Sequence, residues 1–156
     1  MSTHDEIEKK KYLFGSIFLL AQRWQYLGDH FLAKDKVTTK QWLLLAVITS
    51  LFDSPPTLSQ AAEAIGTSRQ NIKQIALKLD RRGFIKIKVD VKDSRILRLH
   101  ITAKNKHFWQ KRADKDDAYI AKLFDILSAT EIKNFFIIMQ KLDKQTLEHL
   151  ERSAQK

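Results

Sequence analysis

The chain contains 156 residues, of which 44% are apolar, and carries a formal net charge of +10, which suits one domain or a small domain with oligomerisation arms. It has no cysteine, which excludes a disulfide framework, a thiolate metal site and a cysteine redox sensor. The N-terminal segment lacks the apolar core of a secretory signal, and the longest apolar run, Leu43–Ile48, is far shorter than the roughly 18 residues of a membrane span, so we expect a soluble, cytoplasmic protein.

Four helix beginnings are marked by the capping box, in which a Ser or Thr hydroxyl accepts from a backbone N–H and a Glu or Gln three residues later reaches back. The four matches are Thr38–Gln41, Thr57–Gln60, Thr67–Gln70 and Ser128–Glu131. Because helical apolar spacing follows each of them, the four matches together predict helices that start at these positions.

In chain order, the apolar spacing predicts six helices, with two strands between the fourth and the fifth. The predicted helices are Glu6–Ala33, Thr39–Phe52, Leu58–Ile65, Ser68–Arg82, a long helix from after Thr102 to about Ile126, and a last one from Ala129 to about Arg152. The predicted strands are Phe84–Val89 and Ile96–Ile101. The predicted fold class is mainly α with a small β-wing (α+β), a winged helix-turn-helix core with long N- and C-terminal helices.

The segment from the third helix to the second strand is typical of a winged helix-turn-helix, which places one helix in the major groove of DNA. Gly66 stands where the chain must reverse, and glycine adopts a positive φ at little cost. One face of the fourth helix carries Ile72, Ile75, Ala76 and Leu79, and the opposite face is mostly polar. Gln and Asn suit an adenine edge, and Arg and Lys suit guanine or phosphate. On that face Leu77 suits either a thymine methyl or packing on the wing. A plain solvated helix shows the same pattern, but the Gly66 turn and the following wing favour DNA.

Basic charge is concentrated in the same region. Residues 67–112 contain fourteen Lys and Arg against three Asp, a net +11, so the rest of the chain is almost neutral and the patch suits a polyanionic partner. Between the strands, Arg95 suits a minor groove. Phosphate would repel Asp93, so we expect this residue to hold the tip and to orient Arg95. The alternative is a polar hairpin with a fortuitous arginine. The candidate DNA contacts are Thr67, Ser68, Arg69, Gln70, Asn71, Lys73, Gln74, Lys78, Arg81, Lys86, Lys88, Asp93, Arg95 and Arg98.

These residues resemble, over essentially the whole chain, bacterial MarR-type transcriptional regulators, the multiple-antibiotic-resistance regulator family. The matching segments are GTSRQN before the recognition helix, LDRRGFI, and an Asp-x-Arg wing followed by Leu-Thr, which here is formed by Asp93, Arg95 and Ile101-Thr102. Ile101 replaces the usual leucine, and Asn105 replaces a glycine that often follows, a departure that affects only the local cap. The resemblance implies a homodimer whose terminal helices interwind, a pseudo-palindromic operator, and often release by a small ligand, commonly an anionic phenolic compound.

Apolar stripes on both terminal helices independently predict dimerisation, since they exceed what a small winged module can cover. The stripes consist of Tyr12, Phe14, Ile17, Phe18, Trp24 and Phe31 in the first helix and Phe135, Ile138, Met139, Leu142, Leu147 and Leu150 in the last. The predicted division is an N-terminal dimerisation helix (1–36), a winged helix-turn-helix DNA-binding domain (37–102), and a C-terminal linker with dimerisation helices (103–156).

We therefore expect a cytoplasmic, homodimeric, sequence-specific DNA-binding regulator that acts as a repressor. The alternatives are a non-specific nucleoid-type DNA binder and a winged-helix protein-interaction module. Aromatic walls with one cation suit a planar anionic effector at Arg23, Trp24, Tyr26, Phe31 and Trp42, although core packing explains the same residues. The five histidines are scattered, and the sequence shows no nucleophile with a nearby base, so we expect no metal, no cofactor and no enzymatic activity.

Overall fold

The computed structural model describes residues 3–154. In this part of the chain the helices are α1 (Thr3–Leu32), α2 (Thr39–Ser50), α3 (Leu58–Ile65), α4 (Arg69–Arg81), α5 (Ala103–Leu123) and α6 (Ala129–Ala154), with a short 3₁₀ helix at Ala33–Asp35. The strands are β1 (Ile85–Val89) and β2 (Leu97–Ile101). The predicted fold class and order of elements are confirmed. The largest differences from the predicted ends are about one turn: α1 starts at Thr3 instead of Glu6, and α5 stops at Leu123 instead of about Ile126.

The chain divides between Phe108 and Trp109 into two compact units. The first unit contains the helix-turn-helix and the wing, and the second contains most of α5 and all of α6. These units are not the three predicted segments (1–36, 37–102 and 103–156), whose division by function remains a prediction.

Helices α1 and α2 approach each other closely at Gly28, which is buried. A Cβ at this position would lie 2.5 Å from Thr39 Oγ1. The Thr39 hydroxyl donates to Gln25 O (3.1 Å), and Thr39 N donates to Asp29 Oδ1 (2.6 Å). The absence of a side chain at Gly28 therefore allows the start of α2 to hydrogen-bond directly to α1.

The turn between α3 and α4 is closed by Gly66, whose φ of 72° is left-handed. Gly66 N donates to Glu63 O (3.1 Å) and Thr67 N to Ala62 O (2.9 Å), the pair of bonds that ends many helices. The predicted capping box at Thr67–Gln70 is wrong. The N-cap is Ser68, whose hydroxyl accepts from Asn71 N (3.1 Å), because the Thr67 backbone is already used to end α3.

The other three predicted capping boxes are confirmed. Thr38 pairs with Gln41, Thr57 with Gln60, and Ser128 with Glu131, each through a backbone N–H at both ends of the box. Asn105, which stands where a glycine was expected, affects only the local cap, as predicted. Thr102 Oγ1 accepts from Asn105 N (3.2 Å), so the start of α5 is capped without a glycine.

The core of the first unit lies between α2, α3, α4 and the sheet, where each helix contributes its apolar face. Its members, all at most 5% exposed, include Leu44, Leu45, Ile48, Leu58, Ala61, Ala62, Ile72, Ala76, Leu79, Phe84, Ile85 and Leu99. Strand β1 pairs antiparallel with β2, with Ile87 opposite Leu99. Thr57, just before α3, bridges to Arg98 on the other side of β2, so the wing is joined to the helix-turn-helix by backbone pairing.

The two terminal helices leave large apolar side chains exposed within this single chain. On α1, Tyr12, Phe14 and Phe18 are at least 60% exposed, and on α6 every described side chain is exposed. Neither helix, nor any other helix of residues 3–154, is long and apolar enough to cross a membrane.

Candidate nucleic-acid interface

Helix α4 separates an inner apolar face from an outer polar one. Ile72, Ala76 and Leu79 are fully buried. The exposed residues include the predicted contacts Arg69, Gln70, Asn71, Lys73, Gln74, Lys78 and Arg81. Within the part of the chain that the structure describes, no side-chain hydrogen bond holds Gln70, Lys73 or Gln74, so these long polar side chains remain available to a ligand.

The first turn of α4 is arranged by three of the predicted contacts. Ser68 is the N-cap, as described above, and Asn71 Nδ2 donates to Thr67 Oγ1 (2.9 Å). Asn71 is therefore held against the start of the helix, whereas Gln70 and Gln74 project from it. Leu77 is partly buried, which is compatible with both predicted roles, contact with a thymine methyl and packing on the wing.

The end of α4 is fixed by Arg82, which sequence reasoning did not single out. Its guanidinium donates to the backbone oxygens of Lys36 and, at 2.8 Å, of Asp35, and it lies 4.9 Å from the centre of the Phe84 ring. Lys36 has a φ of 55°, a left-handed conformation that turns the chain between the 3₁₀ helix and α2. Arg82 therefore connects the end of α4 to the segment that follows α1.

The wing tip contains the ion pair that the sequence predicted. Arg95 Nε lies 3.1 Å from Asp93 Oδ1, and Arg95 NH2 lies 2.9 Å from Asp93 Oδ2. Asp93 Oδ1 also accepts from Arg95 N (2.9 Å). The side chain of Arg95 is nonetheless 88% exposed, so the carboxylate orients the guanidinium and leaves it accessible.

The electrostatics of the tip follow from these bonds. The side-chain hydrogen bond from Arg95, followed by its backbone N–H, lowers the pKa of Asp93, and the same side-chain bond raises the pKa of Arg95. Both groups are therefore charged throughout the ordinary pH range.

The three basic residues predicted on the strands have different surroundings. Lys86 and Lys88 are exposed, and Lys86 Nζ lies 3.9 Å from Asp80 Oδ1. Arg98 has an exposed side-chain fraction of 33%, pairs through Nε with Asp90 Oδ2, and donates through NH1 to Pro55 O (2.9 Å). Arg98 is therefore held inward by two partners.

His100 adds a titratable group beside this basic surface. Partial burial lowers the pKa of His100, and the positive charges of Lys88 and Arg98 lower it further. The imidazole is therefore largely neutral near pH 7, and an approaching anion would favour its protonated form.

The predicted effector site is only partly assembled within one chain. Arg23 and Tyr26 line a shallow depression on α1 together with Gln22 and Leu27. Trp24 and Phe31 are partly buried, and Trp42 is 39% exposed, but these three do not line the depression. One helix face cannot enclose a planar ligand, so a complete pocket would need a further surface.

Helices α3 and α4, the reversal at Gly66 between them and the two-stranded wing define a winged helix-turn-helix protein extended by long terminal helices. Comparisons with known proteins agree with this class. No family model matches the chain, and no curated protein matches it. Solved structures do match it over most of its length.

Three of these structures illustrate the likeness. The transcriptional regulator BldR from Sulfolobus solfataricus superposes with a TM-score of 0.78 at 16% identity, covering 93% of this chain and 99% of that one. A MarR/EmrR family regulator from Acinetobacter sp. ADP1 gives 0.74 at 16% identity, over 89% and 97% of the two chains. The S. aureus MepR–DNA complex gives 0.71 at 18% identity, over 88% and 97%. The fold is thus that of the MarR-family transcriptional regulators, as the sequence resemblance predicted.

Proposed function

We propose that this protein is a non-enzymatic, sequence-specific DNA-binding transcriptional regulator of the cytoplasm, which binds a pseudo-palindromic operator as a homodimer and represses transcription. The observation that carries the proposal is the pairing of two accessible elements in one compact unit. The outer face of α4 presents the exposed side chains of Gln70, Lys73 and Gln74, and the wing presents Arg95 with its guanidinium oriented by Asp93. This is the arrangement that suits a major groove and an adjacent minor groove.

Within this interface we assign base readout to Gln70, Asn71, Lys73 and Gln74. Thr67, Ser68, Arg69, Lys78 and Arg81 flank that face, and with the wing lysines Lys86 and Lys88 they suit phosphate. Contacts to the DNA phosphates position a protein on DNA, whereas contacts to base edges select the sequence. The fold neighbour MepR, which was solved in complex with DNA, supports the same use of the fold.

The homodimer is supported by the exposed apolar faces of the terminal helices. Monomeric soluble proteins rarely expose contiguous apolar patches larger than a few hundred Å². A second copy of the same chain offers an equivalent apolar surface, and two-fold symmetry then presents two recognition helices to two operator half-sites.

We further propose that an aromatic carboxylate binds at Arg23 and Tyr26 and releases the protein from DNA. Arg23 supplies a cation and Tyr26, which is 65% exposed, supplies an aromatic wall. In the dimer, a second surface against α1 would complete the enclosure. Titration with an aromatic carboxylate, followed by tryptophan fluorescence and by DNA release, tests this assignment, with Arg23→Gln as the variant that should lose both responses.

The experiment that tests the main proposal is selection of bound duplexes from a random pool, followed by affinity measurements at one salt concentration. A regulator should bind the selected duplex at least about 10³-fold more tightly than a scrambled one. A ratio near one would identify a non-specific DNA binder, and absence of binding to both duplexes would point to a protein-interaction module.

A further inference from the structure

The carboxylate of Asp90 joins three parts of the wing. Asp90 lies directly after β1, and its side chain is only 10% exposed. Its Oδ1 accepts from the backbone N–H groups of Lys92 (2.8 Å) and Asp93 (3.2 Å), and its Oδ2 accepts from Arg98 Nε. One side chain therefore holds the turn at the wing tip and the opposite strand β2 together.

Arg98 extends this connection to the helix-turn-helix. Its NH1 donates to Pro55 O (2.9 Å), in the turn between α2 and α3. The neighbouring backbone follows the same path, because Leu99 N donates to Pro56 O (2.9 Å) and Thr57 bridges to Arg98. A chain of polar contacts thus runs from Pro55 through Arg98 and Asp90 to the backbone of Asp93, the residue that orients Arg95.

The charges of the pair make direct DNA contact an unsatisfactory explanation for either member. An aspartate beside DNA is repelled by phosphate. Arg98 already donates through Nε to Asp90 and through NH1 to the Pro55 oxygen, and only a third of its side chain is exposed, so a phosphate that approached these donors would have to compete with both partners. The bond from Arg98, followed by that from Lys92 N, lowers the pKa of Asp90 to about 2, so the ion pair persists throughout the range in which proteins bind DNA.

We propose that Asp90 and Arg98 are positioning residues for DNA binding: together with the Pro55 carbonyl they form a brace that holds the wing on the α2–α3 turn and presents Arg95 in its binding orientation. The inference rests on the proposed function and deepens it. It reassigns Arg98, predicted from the sequence as a DNA contact, to the ordering of the wing. Without the brace, ordering of the wing occurs during binding and reduces affinity.

Three variants separate the contacts of the brace. Asp90→Asn keeps an oxygen for the Lys92 and Asp93 amides but places a neutral group against Arg98. Asp90→Ala removes both the bonds to these amides and the ion pair with Arg98. Arg98→Gln removes the guanidinium that reaches Pro55. Thermal unfolding of each variant, monitored by circular dichroism, identifies the preparations that are folded at the assay temperature.

The decisive measurement is a double-mutant cycle with Arg95→Ala. Affinities are measured by fluorescence anisotropy, at one salt concentration, on the duplex selected by the wild-type protein. If the brace acts through Arg95, Asp90→Asn and Arg98→Gln each weaken binding on the order of tenfold in the wild-type background. In the Arg95→Ala background the same changes have less than about a twofold effect, since the group being positioned is absent.

Lys88→Ala is the matched control. Lys88 stands opposite Arg98 in the β-ladder and is exposed. A phosphate contact at Lys88 should weaken binding by the same factor in both backgrounds and reduce the salt slope by about one unit. If Arg98→Gln behaves like Lys88→Ala, Arg98 is a phosphate contact and the brace is refuted. Tighter binding by Asp90→Asn, as simple charge removal predicts, refutes it as well.

Hydrogen exchange of the DNA-free protein gives a second readout that is independent of the proposed function. The amides of Lys92 and Asp93 should exchange faster in Asp90→Ala than in the wild type, with Asp90→Asn closer to the wild type. Unchanged exchange in Asp90→Ala would contradict the brace. If the wild-type protein selects no duplex, the proposed function fails, and the exchange rates still decide whether the brace orders the wing.

Discussion

Asp93 and Arg95 form a two-bond ion pair at the wing tip, with Nε 3.1 Å from Oδ1 and NH2 2.9 Å from Oδ2. Arg95 is nevertheless almost fully exposed. The carboxylate thus orients a cation that has no other partner among the described residues and that stays accessible to solvent.

The first prediction concerns this pair. Arg95→Ala should reduce affinity for the selected duplex by about 1–3 kcal/mol, because it removes the cation itself. Asp93→Ala should cause nearly the same loss, because the tip then orders only on binding. Measurement of both affinities at one salt concentration checks the claim. Simple electrostatics predicts the opposite sign for Asp93→Ala, so tighter binding by that variant would defeat the orienting role.

The second prediction separates base contacts from phosphate contacts. Gln74→Ala should cost about 1–3 kcal/mol on the selected duplex and relax the preference at one base position. Lys88→Ala should weaken all sequences alike. Competition binding with the selected and a scrambled duplex distinguishes the two, and an equal loss on both duplexes for Gln74→Ala would contradict the assignment of α4.

The third prediction concerns assembly. Sedimentation at micromolar concentration should give a species of twice the 18.2 kDa chain mass, with contacts from residues ~6–33 and ~115–152. Phe18→Glu in α1 and Ile138→Glu in α6, at positions 60% and 52% exposed in one chain, should each weaken the dimer. Leu51→Glu, at a 63% exposed apolar position outside the terminal helices, is the control that should leave the mass unchanged. A wild-type protein that sediments only as the single chain would rule the dimer out.

The fourth prediction concerns the close approach of α1 and α2. Gly28→Ala should destabilise the protein by about 1 kcal/mol, since overpacking outweighs the gain of about 1 kcal/mol in helix propensity. The new Cβ would lie 2.5 Å from Thr39 Oγ1. Removing that hydroxyl reverses the sign, so Gly28→Ala should stabilise the Thr39→Ala variant. Denaturant unfolding of the four proteins completes the cycle, and a destabilisation that persists in the Thr39→Ala background would show that the clash lies elsewhere.

The fifth prediction concerns pH. The pKa of Asp90 is about 2 in the folded protein and 3.8 ordinarily, so the folded state binds this proton less tightly. Its contribution to stability is therefore complete above about pH 4 and is lost as the pH falls through about 2. In Arg98→Gln the pKa of Asp90 should rise towards 3.8, because the hydrogen bond from Arg98, which contributes most to the lowered value, has been removed. Carboxyl carbon chemical shifts followed over pH 1.5–6 measure both values, and an unchanged midpoint in the variant would show that Arg98 does not set it.

Features that depend on residues close in the chain were available from the sequence. The capping residues Thr38, Thr57 and Ser128, the reversal at Gly66 and the pairing of Asp93 with Arg95 all join positions at most five apart. Over such distances, residue type and spacing already restrict the backbone to a few geometries. The exception is the predicted cap at Thr67. The adjacent Ser68 caps α4 instead, because the backbone of Thr67 is used to end α3.

Features that join distant positions were decided only by the tertiary structure. Arg98 reads as one more basic residue of the wing until its bond to Pro55, 43 positions away, is seen. Arg82 likewise donates to a backbone oxygen 47 positions earlier. A sequence shows the charge of such a side chain but not its partner, because the partner is chosen by how α2, α3, α4 and the sheet pack. The sequence by itself therefore determined the helix-turn-helix, the wing and the sign of its charge, whereas the packing of these elements determined which arginines stay exposed and which hold the protein together.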